Sequence, residues 1–104
     1  MAQLDVYANP IRAARLAYPY VVALQSQLAD VGRERIVAPL APRESIAALA
    51  GRLTPLVRLG DAEYVVIVPA LAGLPDKDLH EGAGSLAGYR SEPLAAIDYL
   101  FFGV

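Results

Sequence analysis

The sequence contains no cysteine and only one histidine. Without thiols the chain cannot form disulfides, use a thiolate nucleophile or build the common zinc–thiolate site. Basic residues are also few, with nine Lys and Arg against eleven Asp and Glu, which gives a net charge of −2. A protein that holds the phosphate backbone needs a basic surface. We therefore expect no direct nucleic-acid binding.

No apolar run is long enough to cross a bilayer. The longest extends from Tyr64 to Leu74 and is interrupted by Pro69, whereas a spanning helix needs about 20 apolar residues. The opening residues, MAQLDVYANP, lack the basic and apolar regions of a secretory signal. From these features we expect a cytoplasmic protein without a membrane segment.

Apolar residues are the abundant class, since 56% of the chain is hydrophobic and only 19% is charged. This composition argues against disorder, and 104 residues suffice for one core. We therefore treat residues 1–104 as a single domain. The apolar share is high for a small soluble domain, and such proteins often bury the surplus between subunits. An oligomer is expected.

Two polar segments contain residue types that could carry chemistry. DKDLHE at 76–81 offers three carboxylates and His80, but one histidine on a segment rich in Pro and Gly defines no metal geometry. GAGSLAG at 82–88 resembles a phosphate-binding loop, yet it follows no predicted strand and lies in no βαβ unit. We expect a solvated loop and a flexible connection, with no metal, no cofactor and no catalytic residue.

Alternating and β-rich segments predict an antiparallel sheet. The clearest is 56–68, where two apolar runs flank Gly60-Asp61, a pair typical of two-residue hairpin turns. Pro39 lies inside another predicted strand and indicates that this strand is at an edge or ends there. The predicted strands are 3–8, 20–29, 34–41 and the two arms of 56–68, and DVGR at 30–33 is a predicted turn.

The remaining segments predict one short helix, one final helix and much irregular chain. IRAARLA at 11–17 fits either one helical turn or a short hairpin, and the Ala-rich residues 43–50 favour a helix. Residues 69–90, rich in Pro and Gly, predict a long irregular segment. The final helix has Ser91 as a suitable N-cap and tolerates Pro93 in its first turn. Strands with one closing helix are typical of a small antiparallel sheet or barrel.

The final helix has two apolar stripes when its residues are placed at 100° per step. The first stripe, expected to pack on the sheet, consists of Leu94, Ile97 and Phe101. The second stripe consists of Ala95, Tyr99 and Phe102. Burying one phenylalanine contributes about 1.5–3 kcal/mol, so the second stripe needs an occupant. That occupant is a second copy of the chain, another partner or the domain's own 69–90 segment.

Four stretches occur in the order and with the spacing of one known family. They are QLDVYANP at the start, LQSQLADVGRERIVAPL (24–40), LTPLVRLGDAEYVV (53–66) and IDYLFFGV at the end. Together they resemble the CcdB toxins of bacterial toxin–antitoxin modules. The resemblance implies a mainly β fold, an SH3-like antiparallel barrel with a small β-wing that includes residues 9–19 and one long C-terminal α-helix. It also implies a homodimer.

The resemblance implies a function without chemistry. Toxins of this family poison DNA gyrase: the dimer inserts between the gyrase A subunits and traps the enzyme on cleaved DNA. A CcdA-like antitoxin binds the toxin through a disordered C-terminal segment and neutralises it. Two alternatives share the fold: a non-toxic or retargeted dimer that only binds an antitoxin, and an mRNA-cleaving toxin. The acidic net charge disfavours the second.

The family's gyrase-binding surface is carried over residue by residue. It comprises the end of the last helix, the chain terminus and part of the strand before the first turn. These positions are Leu28, Ala29, Asp98, Phe101, Phe102, Gly103 and Val104. Well-studied members have tryptophan at the position of Phe102, where the ring stacks on an arginine of gyrase, and asparagine at the position of Asp98. Phenylalanine is the weaker cation–π partner, in an interaction class of about 0.5–2 kcal/mol.

Overall fold

The computed structural model describes residues 3–25, 34–46, 53–89 and 91–102. These ranges contain seven β-strands, namely β1 (Asp5–Ala8), β2 (Tyr20–Ala23), β3 (Glu34–Pro42), β4 (Leu56–Leu59), β5 (Ala62–Val66), β6 (Ala72–Pro75) and β7 (Gly82–Ser85). They also contain two α-helices, α1 (Arg43–Ile46) and α2 (Ser91–Phe102). The turn predicted at 30–33 and the second half of the helix predicted at 43–50 lie outside the described residues.

The strands form one antiparallel sheet in the order β4-β5-β3-β2-β1-β7. Strand β3 is central: one edge pairs with β2, where Val22 faces Ala38, and the other pairs with both β6 and β5. Strands β5 and β6 therefore follow one another along the same edge of β3. The predicted mainly β fold with one C-terminal helix is confirmed.

The sheet curls until its two end strands approach each other. Gly84 of β7 has φ +144°, and a Cβ atom placed there would lie 2.8 Å from Cδ1 of Leu59 on β4. Strands β4 and β7 stand at opposite ends of the strand order. The sheet is thus a half-barrel whose seam is closed at this point by a side chain against a glycine.

The hairpin predicted at 56–68 is present as β4 and β5. Gly60 has φ +63°, a backbone angle that side chains with a Cβ rarely adopt, and nothing lies within 4 Å of its missing Cβ. Arg58 pairs with Glu63, and Leu59 with Ala62. The Gly-Asp turn therefore sets the register of this hairpin.

Pro39 lies in the centre of the sheet, so the prediction of an edge or terminal strand is wrong. Its carbonyl accepts a hydrogen bond from the Ile67 N–H at 2.9 Å. The nitrogen and oxygen of one strand residue point toward the same edge. The missing N–H of Pro39 therefore faces the interruption between β5 and β6, where no strand carbonyl requires it.

Residues 9–19 form no wing strands, which corrects the expectation taken from the family. They contain a 3₁₀ turn at Arg12–Ala14, the helical-turn alternative of the sequence reading. Asn9, 4% exposed, closes the loop: its Nδ2 donates to the Tyr18 carbonyl and its Oδ1 accepts from the Ile11 N–H, both at 2.9 Å. This side chain supplies bonds that a paired strand would otherwise make.

Residues 69–90 contain two strands, so the prediction of an irregular segment is wrong. Strand β6 pairs with β3, and β7 pairs with β1 through a bulged register. Between them a 3₁₀ turn at Asp76–Asp78 leads to Leu79, which packs with Val21 and Val37 in a second apolar cluster. GAGSLAG therefore begins as an exposed edge strand rather than a flexible connection.

The main core lies on the other face of the sheet, under α2. Successive strand residues point to opposite faces, so Val22 enters the main core while Val21 enters the second cluster. The buried side chains of the main core are Leu4, Val6, Val22, Leu24, Ala38, Leu40, Val57, Val66, Val68, Leu86 and Ala96. Helix α2 is thus seated on the concave, apolar side of the half-barrel.

Candidate functional site

Helix α2 supplies the candidate surface and ends at the carboxyl end of the described chain. Its sequence, SEPLAAIDYLFF, places Glu92 in the first turn, where an acid is favoured by the helix dipole. Pro93 also lies in this turn, where proline costs no hydrogen bond, and it is fully buried. The start of the helix is therefore fixed by packing as well as by sequence.

The buried face of α2 differs from the predicted stripe. Ala96 is fully buried in the main core, and the half-buried Ile97 and Leu100 pack against it. Leu94, predicted to lead the core stripe, is half-buried and does not belong to that cluster. A small residue lets the helix approach the sheet closely, so the contact centres on Ala96 rather than on the larger side chains.

The outward face of α2 carries exposed Glu92, Ala95 and Asp98. Position 102 follows Ala95 by seven residues and Asp98 by four, so helical geometry places it on this same face. Tyr99, assigned to the second stripe, is half-buried at its border. Small and acidic residues therefore lie on the same face of α2 as its last position.

The structure describes only some of the predicted site residues. The backbones of Phe101 and Phe102 complete the last turn of α2. Leu28, Ala29, Gly103 and Val104 lie outside the described residues. Asp98 is the one predicted site residue whose side chain is described, and it is exposed.

The position of Asp98 gives its carboxylate no favourable interaction with the helix dipole. Asp98 lies in the carboxyl half of α2, near the negative end of the helix dipole, where cations rather than anions are favoured. No basic residue occurs in the α2 sequence. The outward face is therefore acidic at two places, Glu92 and Asp98.

An apolar cleft of about 340 Å³ opens beside α2. It is lined by Leu24, Gln25, Ile36, Leu71 and Ile97. The cleft brings Ile97 of the helix beside Leu24 and Gln25, which follow β2, and Ile36 of β3. Sequence reasoning missed it because its residues come from four separate parts of the chain, each too short to show a pattern.

Two described tyrosines outside α2, Tyr64 and Tyr7, have a raised pKa. Burial raises the pKa of the Tyr64 phenol above its ordinary value, and the neighbouring Tyr20 and Glu44 raise it further. The rings of Tyr64 and Tyr20 meet edge to face, with centroids 5.6 Å apart. Burial, then Asp5, raises the pKa of Tyr7. These groups bear on stability rather than on the outward face of α2.

The polar segment around His80 forms a small cleft with the 9–19 loop. A guanidinium nitrogen of Arg15 lies 3.6 Å from Oε1 of Glu81, and Pro10, Arg12 and Asp78 also line the cleft. Among the described residues no group of three or more His, Asp or Glu side chains is arranged to hold a metal ion. Neither helix in the described ranges has the length and apolar character needed to cross a membrane.

Comparison with known protein families gives a match that spans almost the whole chain. A family model described as CcdB protein matches residues 3–103. The matched range contains every strand of the half-barrel, the cleft and all of α2.

Proposed function

The chain belongs to the CcdB family, the toxins of toxin–antitoxin systems, and from this premise we propose that it is a homodimer that binds the A subunit of DNA gyrase. In this proposal it traps the complex of gyrase with cleaved DNA and performs no chemistry of its own. A CcdA-like antitoxin neutralises it. The gyrase-binding residues are Leu28, Ala29, Asp98, Phe101, Phe102, Gly103 and Val104.

The observation that carries the proposal is the packing of α2 on the sheet. One face is fixed on the main core through Ala96, while Ala95 and Asp98 on the opposite face are exposed. A surface that is rigid before binding loses less conformational entropy on association. The helix end is therefore suited to inserting into a preformed space in a large partner.

The apolar cleft supports the dimer. Ile36, at its edge, is 38% exposed although it is a large aliphatic residue on the central strand. Covering such a surface is favourable by about 25 cal/mol per Å². A second copy that covers the cleft would bring two α2 helices to one interface through Ile97, which suits a target with two A subunits.

Trapping sets an energetic requirement on the contact. A ligand shifts an equilibrium only by the difference between its affinities for the two states. The toxin must therefore bind gyrase with cleaved DNA more tightly than gyrase with intact DNA. Tight binding to both states would occupy gyrase without accumulating broken DNA.

A second candidate is a toxin-family dimer with another target, and Asp98 favours it. Its exposed carboxylate lies on the face that would enter the gyrase contact. Burying a charge without a partner is costly. Well-studied members have asparagine at this position, so a site that fits the neutral amide would meet a charge in this chain. A target with a further basic group at this place would accept Asp98.

The test is a DNA-cleavage assay with purified gyrase. We expect the wild-type chain to accumulate linear DNA, and Phe102→Ala or deletion of Gly103 and Val104 to abolish this while the dimer stays folded. The control is Leu16→Ala, which removes an aliphatic side chain that is 96% exposed in the 9–19 loop and should leave trapping unchanged. Trapping that survives loss of the tail would overturn the assigned surface, and specific cleavage of added RNA would overturn the gyrase proposal.

A further inference from the structure

The interruption between β5 and β6 has a cause in the sequence. Because Pro39 lacks an N–H, no strand can complete its pairing opposite this residue. The chain instead leaves the sheet at Ile67, whose N–H still reaches the Pro39 carbonyl at 2.9 Å. It rejoins β3 only at Ala72.

The detour is a well-bonded 3₁₀ turn at Val68–Ala70. The Ala70 N–H donates to the Ile67 carbonyl and the Leu71 N–H to the Val68 carbonyl, both at 3.0 Å. Pro69 restricts the backbone within the turn. Val68 itself is fully buried in the main core. The turn is therefore stiff, and Val68 fixes it to the main core.

Helix α2 rests on this turn, which is the element it contacts most extensively in the described part of the chain. Val68 and Ala96 belong to the same buried cluster, one from the turn and one from the helix. The position of α2 thus depends on a structure that exists because the sheet is broken at Pro39. A continuous strand would keep residues 68–70 within the sheet, and the turn that contacts the helix would not form.

We propose that the Val68–Ala70 turn is the positioning element of α2, with Val68 as the residue that sets where the helix end lies. This rests on the proposed function only in so far as that end binds gyrase. Val68 touches no partner itself: it acts through the helix. Its loss should release α2 before it loosens the sheet.

The test compares Val68→Ala with Val37→Ala in the full chain. Both remove the same two methyl groups from sites that are 0% and 2% exposed, but Val37 lies in the second cluster, on the face away from α2. By hydrogen exchange with mass spectrometry, Val68→Ala should speed exchange in α2 relative to the sheet by roughly 5- to 30-fold. Val37→Ala should speed both together. An equal α2-to-sheet ratio in the two variants would overturn the proposal.

A milder variant covers the case in which Val68→Ala fails to fold. Pro69 is exposed, so Pro69→Ala relaxes the turn without opening a cavity. It should raise α2 exchange in the same direction but less, and unchanged α2 exchange would contradict the proposal. The outcome is independent of gyrase. Failure of the wild-type chain to bind gyrase would reject the proposed function and leave the exchange result standing.

Discussion

Leu59 and Gly84 are contact partners across the seam of the half-barrel, although their strands stand at opposite ends of the sheet. A Cβ on Gly84 would lie 2.8 Å from the Leu59 Cδ1 atom, and the φ of Gly84 is +144°. The backbone angle favours glycine here, and an added Cβ would displace the end of the Leu59 side chain. The seam therefore depends on one residue of a strand that carries no large side chain.

Gly84→Ala should destabilise the fold by about 1–3 kcal/mol, because it adds backbone strain and displaces Leu59. The measurement is thermal or urea unfolding. The control is Gly82→Ala in the same strand, since nothing lies within 4 Å of the Cβ position at Gly82. Equal losses in the two variants would mean that the seam contact contributes nothing.

Asn9→Ala should cost about 1–3 kcal/mol, because it removes two partly buried hydrogen bonds, one to the Tyr18 carbonyl and one from the Ile11 N–H, each of which contributes about 0.5–1.5 kcal/mol. Asn9→Asp is the informative comparison: it keeps the acceptor for Ile11 but loses the donor to Tyr18. We expect a loss in unfolding free energy for both variants. An unchanged melting temperature in Asn9→Ala would show that the loop does not depend on this side chain.

Ile36→Glu should turn the dimer into a monomer, because it places a charge at the edge of the apolar cleft. The measurement is molar mass by light scattering over a range of concentrations. Leu56→Glu is a close control, since Leu56 is 36% exposed and Ile36 is 38% exposed. A dimer that tolerates both substitutions would place the interface elsewhere, and loss of the dimer in both would point to a general effect of charge.

Stability should fall as the pH rises above 10. The folded pKa values of Tyr7 and Tyr64 are raised above their ordinary value of 10.0, so the folded state holds these protons more tightly than the unfolded chain does. Their contribution is complete below the unfolded pKa and is lost as the pH passes through the folded values. Melting temperatures between pH 8 and 11 test this. Tyr64→Phe, which cannot ionise, should reduce the alkaline loss, and an unchanged loss would exclude Tyr64 as a source.

The parts of the fold that follow from neighbouring residues could be predicted. The hairpin of β4 and β5 has its signal in one turn, and β1, β2 and β3 have β-rich sequences of their own. Strand β7 could not be found this way, because GAGS has no strand preference and is held by contacts distant in sequence, namely its pairing with β1 and the approach of Gly84 to Leu59. The prediction of an edge strand from Pro39 was wrong for a related reason. Proline is accommodated in the central strand because the gap between β5 and β6 lies opposite it, and that gap is visible only in the fold.

The candidate site could also be predicted only in part from the sequence. Periodicity found a two-faced final helix, but it weighted large residues and so missed Ala96 as the centre of the buried face. The cleft beside α2 required the fold, since Leu24, Ile36 and Ile97 meet only through tertiary packing. The roles of Phe102, Gly103 and Val104 stay predictions from the family.

The most direct test of the central claim is the affinity of the chain for purified gyrase A subunit, measured by titration calorimetry. The wild-type chain should bind as one dimer for each pair of A subunits, and Phe102→Ala should weaken or abolish binding while Leu16→Ala does not. Absence of heat with the wild-type chain, or equal affinity of wild type and Phe102→Ala, would contradict the assignment of the α2 end as the gyrase-binding surface.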